Sequence, residues 1–215
     1  MKYECGPDWD MRTVYIDEKI SPLRTAILMS GGLDSFVLYK LLGERNVGKV
    51  FNLKRADRMD NSENLEKLID RNDIIDIIEN PEWTGENRIT NLLETVLLEY
   101  TDEIDALYFG INHIPSLYHF PEFGEGCPTR PWFIDNSKIL KTPFLHLYKY
   151  HIIDLADRIS LDVTATRSCL TKEKDHCGNC WQCRERNWGY QQLGHEGDPT
   201  QPSYINTSID MPTGD

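Results

Sequence analysis

Thr25-Ala-Ile-Leu-Met29 runs directly into Ser30-Gly-Gly-Leu-Asp-Ser35, and Phe36-Val-Leu-Tyr-Lys-Leu-Leu42 follows before Gly43. A short apolar run, a glycine-containing hexapeptide and a second apolar segment closed by glycine spell strand, tight loop and helix. The paired glycines allow backbone conformations closed to residues with a side chain, so several N–H groups can converge on one anion. The helix start that follows adds unpaired amides and a positive dipole end. Ser30, Gly31, Gly32, Leu33, Asp34 and Ser35 are therefore the candidate phosphate cradle. The serine hydroxyls can donate to phosphate oxygens, and Asp34 is a carboxylate able to hold a bridging magnesium ion. No Gly-Lys-Ser/Thr ending follows, so this is not a Walker A loop. A Gly-Gly turn that binds nothing is the plain alternative.

Working outward, the spacing predicts strands over 13–16, 49–53, 74–78 and 105–110. It predicts helices over 62–71, 88–100 and 148–159. In the second of these helices the apolar positions Ile89, Leu92, Leu93, Val96 and Leu97 share one face. Short apolar strands alternating with helices predict an α/β fold, a Rossmann-like parallel sheet with helices on both faces. In such sheets ligands sit at the carboxyl ends of the strands, where the 30–35 loop lies. Residues 111–141 read as an irregular, functional loop rich in Pro, Gly and aromatics. The expected units are an N-terminal extension packed on the domain (1–23), a nucleotide-binding α/β domain (24–160), a metal-binding helical region (161–193) and an extended or disordered polar tail (194–215).

Bulk properties narrow the partners. The 215-residue chain carries 35 acidic against 23 basic residues, a net charge of −12. Gripping a large nucleic acid usually requires a basic patch, because counterion release supplies most of the affinity. A small-molecule substrate is expected instead, with no direct nucleic-acid partner. No apolar run approaches the roughly 18 residues of a membrane span, and the start lacks a secretion-signal pattern. A reducing cytoplasm is the expected compartment, and the polar tail leaves room for packing on a second copy in a homodimer.

Cys5 and Cys127 are isolated, whereas Cys169, Cys177, Cys180 and Cys183 cluster. In a reducing compartment such a cluster reads as metal chemistry, not as a disulfide framework. Steps of three let a tight knuckle point sulfurs at one centre, with Gly178 easing the turn. Four thiolates suit tetrahedral zinc and leave no open coordination position, so the site is expected to be structural. An iron–sulfur cluster is the alternative occupant. Arg184, Arg186, Lys172 and Lys174 are placed to offset its charge, and His176 reads as a surface residue.

The Ser-Gly-Gly-x-Asp-Ser hexapeptide resembles the loop of the PP-loop ATP pyrophosphatases, which split ATP between its α and β phosphates. Together with Ser168-Cys169 and Cys177-Gly-Asn-Cys180-Trp-Gln-Cys183-Arg184, it resembles the 7-cyano-7-deazaguanine synthase branch of that family, which belongs to queuosine biosynthesis. Lys141-Thr-Pro-Phe-Leu145 and Lys149 match that family in style. The resemblance implies an adenine nucleotide alpha hydrolase-like fold, ATP with Mg2+, and a 7-deazapurine carboxylate and ammonia as substrates. Asp34 and Lys149 become the catalytic candidates, with Lys54 and Arg55 as further phosphate neutralisers. Asn112, His113, Tyr118, His119 and Arg130 are candidate contacts to the base. Two segments depart from the family: Phe51-Asn-Leu-Lys-Arg-Ala-Asp57 stands where it usually shows an Asp-Tyr-Gly-Gln-Arg-His type sequence. Ile89-Thr-Asn-Leu-Leu93 replaces its Gly-Arg-Asn-Leu-Leu element. Another adenylating PP-loop activity and a non-enzymatic binding module remain the competing readings.

Overall fold

The structure, a computed structural model, describes residues 1–17, 21–54, 62–80, 88–115, 139–172 and 175–201. Strands β1 (Lys2–Cys5) and β2 (Arg12–Tyr15) form an antiparallel pair, with Lys2 opposite Tyr15 and Cys5 opposite Arg12. Strands β3 (Thr25–Met29), β4 (Lys49–Lys54), β5 (Ile75–Ile78), β6 (Ala106–Phe109) and β7 (Leu140–Lys141) form a second sheet. Its order is β5-β4-β3-β6-β7, and every pairing is parallel. The helices are α1 (Leu33–Leu42), α2 (Ser62–Ile69), α3 (Arg88–Tyr100), α4 (Lys149–Arg158) and α5 (Trp181–Gln192).

Side chains alternate across β3, as a period of two requires. Ile27 and Met29 join Val37, Leu38, Leu65, Ile69, Ile152 and Ile153, so α1, α2 and α4 cover one face. Ala26 and Leu28 join Leu93, Val96 and Leu107, so α3 covers the other. Each of these larger side chains contributes about 2 kcal/mol by leaving water. The chain moves outward from β3 to β4 and β5, then returns past β3 to β6. That reversal opens a crevice beyond the carboxyl ends of β3 and β6, the usual ligand position in open parallel sheets.

Two elements were not foreseen, and one expectation about the tail changes. Strand β7 lies at the end of the stretch expected to be irregular, pairing Leu140 with Leu107 and Lys141 with Tyr108. Strand β1 gives the expected strand near residue 13 a partner, and this hairpin packs on α4, where the Gly6 amide donates to Asp154 at 2.7 Å. The polar tail begins as folded chain: Asp198 is 5 % exposed and pairs with Arg186 at 2.9 Å, both side chains sealed from solvent. A buried carboxylate needs such a partner, which a composition-based reading of the tail cannot supply. Residues 202–215 lie outside the described residues.

Candidate active site

The loop follows β3 and its last residues form the first turn of α1. Gly31 turns at φ 72°, and the buried Ser35 hydroxyl donates to the Gly32 carbonyl at 3.0 Å while accepting the Ser30 amide at 3.3 Å. The Ser35 hydroxyl therefore shapes the loop, whereas Ser30 lies exposed at its mouth. Gly32 caps α1 without a side-chain bond. The amides of Asp34 and Ser35 are first-turn amides that no intrahelical carbonyl can reach, which makes this end a natural anion site. Gly110, at the end of β6, backs the loop so closely that a Cβ would lie 3.0 Å from the Asp34 carbonyl oxygen.

Lys149 opens α4 beside the loop. It is 1 % exposed, and its Nζ donates to both Asp34 carboxylate oxygens at 2.6 and 2.7 Å. The structure thus joins the two catalytic candidates across 115 positions of sequence. A third charged group, unforeseen, completes the arrangement: Glu185 of α5 lies 3.4 Å from the same Nζ and is 2 % exposed. Its other oxygen accepts Asn112 Nδ2 at 2.8 Å. Asn112, a candidate base contact, is buried in this network. Gly189 allows α5 this close to α4, since a Cβ there would fall 2.8 Å from Ile153 Cδ1 and 2.9 Å from Lys149 Cγ.

The sulfurs of Cys169, Cys177, Cys180 and Cys183 all lie within 4.8 Å of one another, with Cys169 and Cys180 at 3.9 Å. A tetrahedral thiolate site with bonds of about 2.3 Å places its sulfurs about 3.8 Å apart, so the donor set fits one ion. Backbone amides point at the sulfurs: Cys177 donates to Cys169 at 3.4 Å, Cys180 to Cys177 at 3.3 Å and Leu170 to Cys180 at 3.5 Å. Such bonds favour thiolates. The Cys183 thiol, sharing its proton, pulls Cys180 down to about 4. Gly178 turns at φ 70°, as the knuckle requires.

This knuckle is stitched to the 30–35 loop. The Arg167 amide donates to the Gly31 carbonyl at 2.8 Å, and the Leu33 amide donates to Ser168 Oγ at 3.2 Å. Arg186 then holds the same segment from α5, through the Thr166 hydroxyl at 2.8 Å and the Thr166 carbonyl at 3.2 Å. Arg186 is thus committed to Asp198 and Thr166, not to the sulfurs. His176 is buried, with Nε2 3.2 Å from the Thr166 carbonyl and Nδ1 3.7 Å from Cys183 Sγ. The surface position expected for it is incorrect: the ring fills space behind the knuckle.

The remaining candidates divide. Lys54 pairs with Asp76 at 2.7 Å, and Asn52 donates to the same carboxylate at 2.9 Å. His113 is exposed and meets the Tyr148 ring edge-on at 4.9 Å. Burial pushes the Cys5 thiol up to about 12, which makes it unreactive. Arg55, Tyr118, His119, Cys127, Arg130 and Lys174 lie outside the described residues.

No helix among the described residues is long and apolar enough to cross a membrane. Residues 131–194 match the family described as Queuosine biosynthesis protein QueC. The 7-cyano-7-deazaguanine synthase 1 of Sulfurisphaera tokodaii is 36% identical over 69 residues, 32% of this chain and 33% of that one. The synthase of Aliarcobacter butzleri is 38% identical over 66 residues, 30% and 28% of the two chains. The synthase of Methanospirillum hungatei is 31% identical over 101 residues, 42% and 44%. These matches span between about a quarter and less than half of each relative's length. Among solved structures, the U34-tRNA thiolase NcsA of Methanococcus maripaludis with its [4Fe-4S] cluster overlaps 72% of this chain and 61% of that one, at 15% identity and a TM-score of 0.42. The NH3-dependent NAD synthetase of Campylobacter jejuni overlaps 67% and 66%, at 18% identity and a TM-score of 0.35. Both overlaps are too loose to bear on activity or ligand. The resemblance read from the sequence thus has its match over residues 131–194, the stretch that carries Lys149, the four clustered cysteines and helix α5.

Proposed function

We propose that this chain is an ATP-dependent carbon–nitrogen ligase that converts 7-carboxy-7-deazaguanine and ammonia to 7-cyano-7-deazaguanine. The observation that carries the reading is the meeting of Lys149 with Asp34 at 2.6 Å on the phosphate loop, with Lys149 supplied by the family-matched segment. Residues 30–35 would cradle the phosphates, the first-turn amides of α1 and the Ser30 hydroxyl donating to their oxygens. The substrate carboxylate would attack the α phosphorus, breaking the bond to the β phosphate and releasing pyrophosphate. Ammonia would then attack the acyl carbon, and AMP would leave with one carboxylate oxygen. The amide oxygen would attack the α phosphorus of a second ATP, releasing a second pyrophosphate, and loss of AMP and two protons would leave the nitrile. Lys149 would exchange Asp34 for phosphate oxygens and neutralise charge developing toward the leaving pyrophosphate. Mg2+ would be held by Asp34 and would supply positive charge to offset that of the phosphates. Zn2+ would be held by Cys169, Cys177, Cys180 and Cys183 in a structural role.

The anchoring of Asn52 and Lys54 by Asp76, where the family usually presents a different segment, favours one second reading. In it the same loop adenylates another carboxylic acid. Mass spectrometry of the protein with Mg-ATP, ammonium and 7-carboxy-7-deazaguanine separates the two. Nitrile with two AMP per product supports the ligase. AMP formation only with other acids supports the second reading, and absence of AMP with any acid removes both.

A further inference from the structure

We propose that Glu185 is a positioning residue for Lys149, the fixed counter-ion that keeps the lysine aimed while Asp34 gives way to phosphate. The inference rests on the reading that the 30–35 loop binds ATP phosphates, and it names how that site holds its cation.

Lys149 Nζ lies between two carboxylates of different character. Asp34 is nearer, at 2.6 and 2.7 Å, but its side chain is 19 % exposed. Glu185 is farther, at 3.4 Å, and is 2 % exposed. An arriving anion can displace the accessible partner, whereas a sealed carboxylate can neither leave nor take up water in the lysine's place.

Glu185 is also held in place by its partner Asn112 and by the anchoring of its helix. Asn112 Nδ2 holds its Oε1 at 2.8 Å. Its helix is fixed two residues earlier by Cys183 in the cysteine cluster, and at the next residue by Arg186, which binds Thr166 and Asp198. Gly189, one turn on, seats α5 directly against the Lys149 stem. When Asp34 is drawn away, the buried ammonium keeps one anionic neighbour in a fixed place. It therefore meets the phosphate without reorganising, the condition under which such a charge lowers a barrier. The residue would act on the chemical step more than on ATP binding, because the phosphate contacts in the ground state come chiefly from the loop.

The test is a cycle of Glu185→Gln, Lys149→Met and the double variant, with AMP release, metal content and urea unfolding measured on each. Glu185→Gln is expected to lower kcat about a hundredfold, the scale of a misplaced catalytic group. The KM for ATP should change far less and the metal content not at all. In the Lys149→Met background, Glu185→Gln should cost no further activity, because its effect passes through the lysine. The double variant should also unfold at higher urea than Lys149→Met, which leaves Glu185 buried without its cation. Wild-type kcat in Glu185→Gln, or an equal loss in both backgrounds, would overturn the proposal. If the natural chain makes no AMP with any acid, the functional reading fails instead. The urea arm then decides the pairing: a double variant less stable than Lys149→Met refutes it.

Discussion

Helix α5 carries two ionic arrangements on adjacent residues, Glu185 with Lys149 and Asp34, and Arg186 with Asp198. The second is balanced and closed: its two side chains are 0% exposed and its cation also holds Thr166. The first has two carboxylates for one cation, and one of them, Asp34, stays in reach of solvent. A closed pair can only hold chain segments together, whereas an open pair with an exchangeable partner can receive a ligand. Sequence adjacency thus puts the Arg186 brace and the Glu185 carboxylate that faces Lys149 on one rigid element.

The comparison breaks first at Lys149. Lys149→Met is expected to slow AMP formation about a thousandfold, the upper range for loss of one preorganised donor. An assay of AMP release against folded protein checks this, and a change of less than tenfold would make the open arrangement as structural as the closed one. Asp198→Ala should act oppositely, leaving the Arg186 charge buried without its carboxylate and costing about 4 kcal/mol of stability. Urea unfolding reads that loss, and turnover per folded molecule should stay within a few-fold of the natural chain.

A third prediction concerns the turn on which Lys149 sits. His151 Nδ1 accepts the Tyr148 amide at 3.1 Å and Nε2 meets the Asp10 carbonyl at 2.9 Å, so the buried ring serves α4 in its neutral form. Burial first, and then the Arg12 charge, push its pKa down to about 4. The unfolded chain takes up the proton near 6.5, so stability is complete above about pH 6.5 and falls as the pH drops to about 4. The loss approaches 3 kcal/mol as an order of magnitude. His151→Gln, whose amide can both accept and donate, should flatten that slope in unfolding curves taken across the window. Smallest is Gly189→Ala, where one added methyl between α4 and α5 should cost about 2 kcal/mol. Turnover should fall with it, because the methyl meets Lys149 directly, and unchanged kcat would show that the close helix contact is not needed for aim.

What could be read from the sequence was local. The 30–35 loop lies within a few residues between apolar segments, and the four cysteines that cluster in sequence also cluster in space. Lys149 was legible only through resemblance, since nothing near it in sequence reveals that it reaches Asp34. Glu185 was invisible because an acidic chain offers many carboxylates, and only the packing of α5 on α4 buries this one. Helix α5 lacks an apolar stripe because its buried face includes Glu185 and Arg186. His176 and the start of the tail at Asp198 were misjudged for the same reason: polar residues in polar stretches are buried here by contacts with neighbouring segments, Thr166 and Cys183 for His176 and Arg186 for Asp198. Strand β7 is two residues long and declares itself only through its pairing with β6.

The central claim is that the thiolate knuckle and the phosphate loop form one site, joined by the Arg167–Gly31 and Leu33–Ser168 hydrogen bonds. The direct measurement is calorimetric titration of Mg-ATP into zinc-loaded protein and into protein stripped by a chelator that is then removed. The account predicts binding in the first and a loss of at least about tenfold in the second, recovered on restoring zinc. Equal affinity with and without the metal would contradict it.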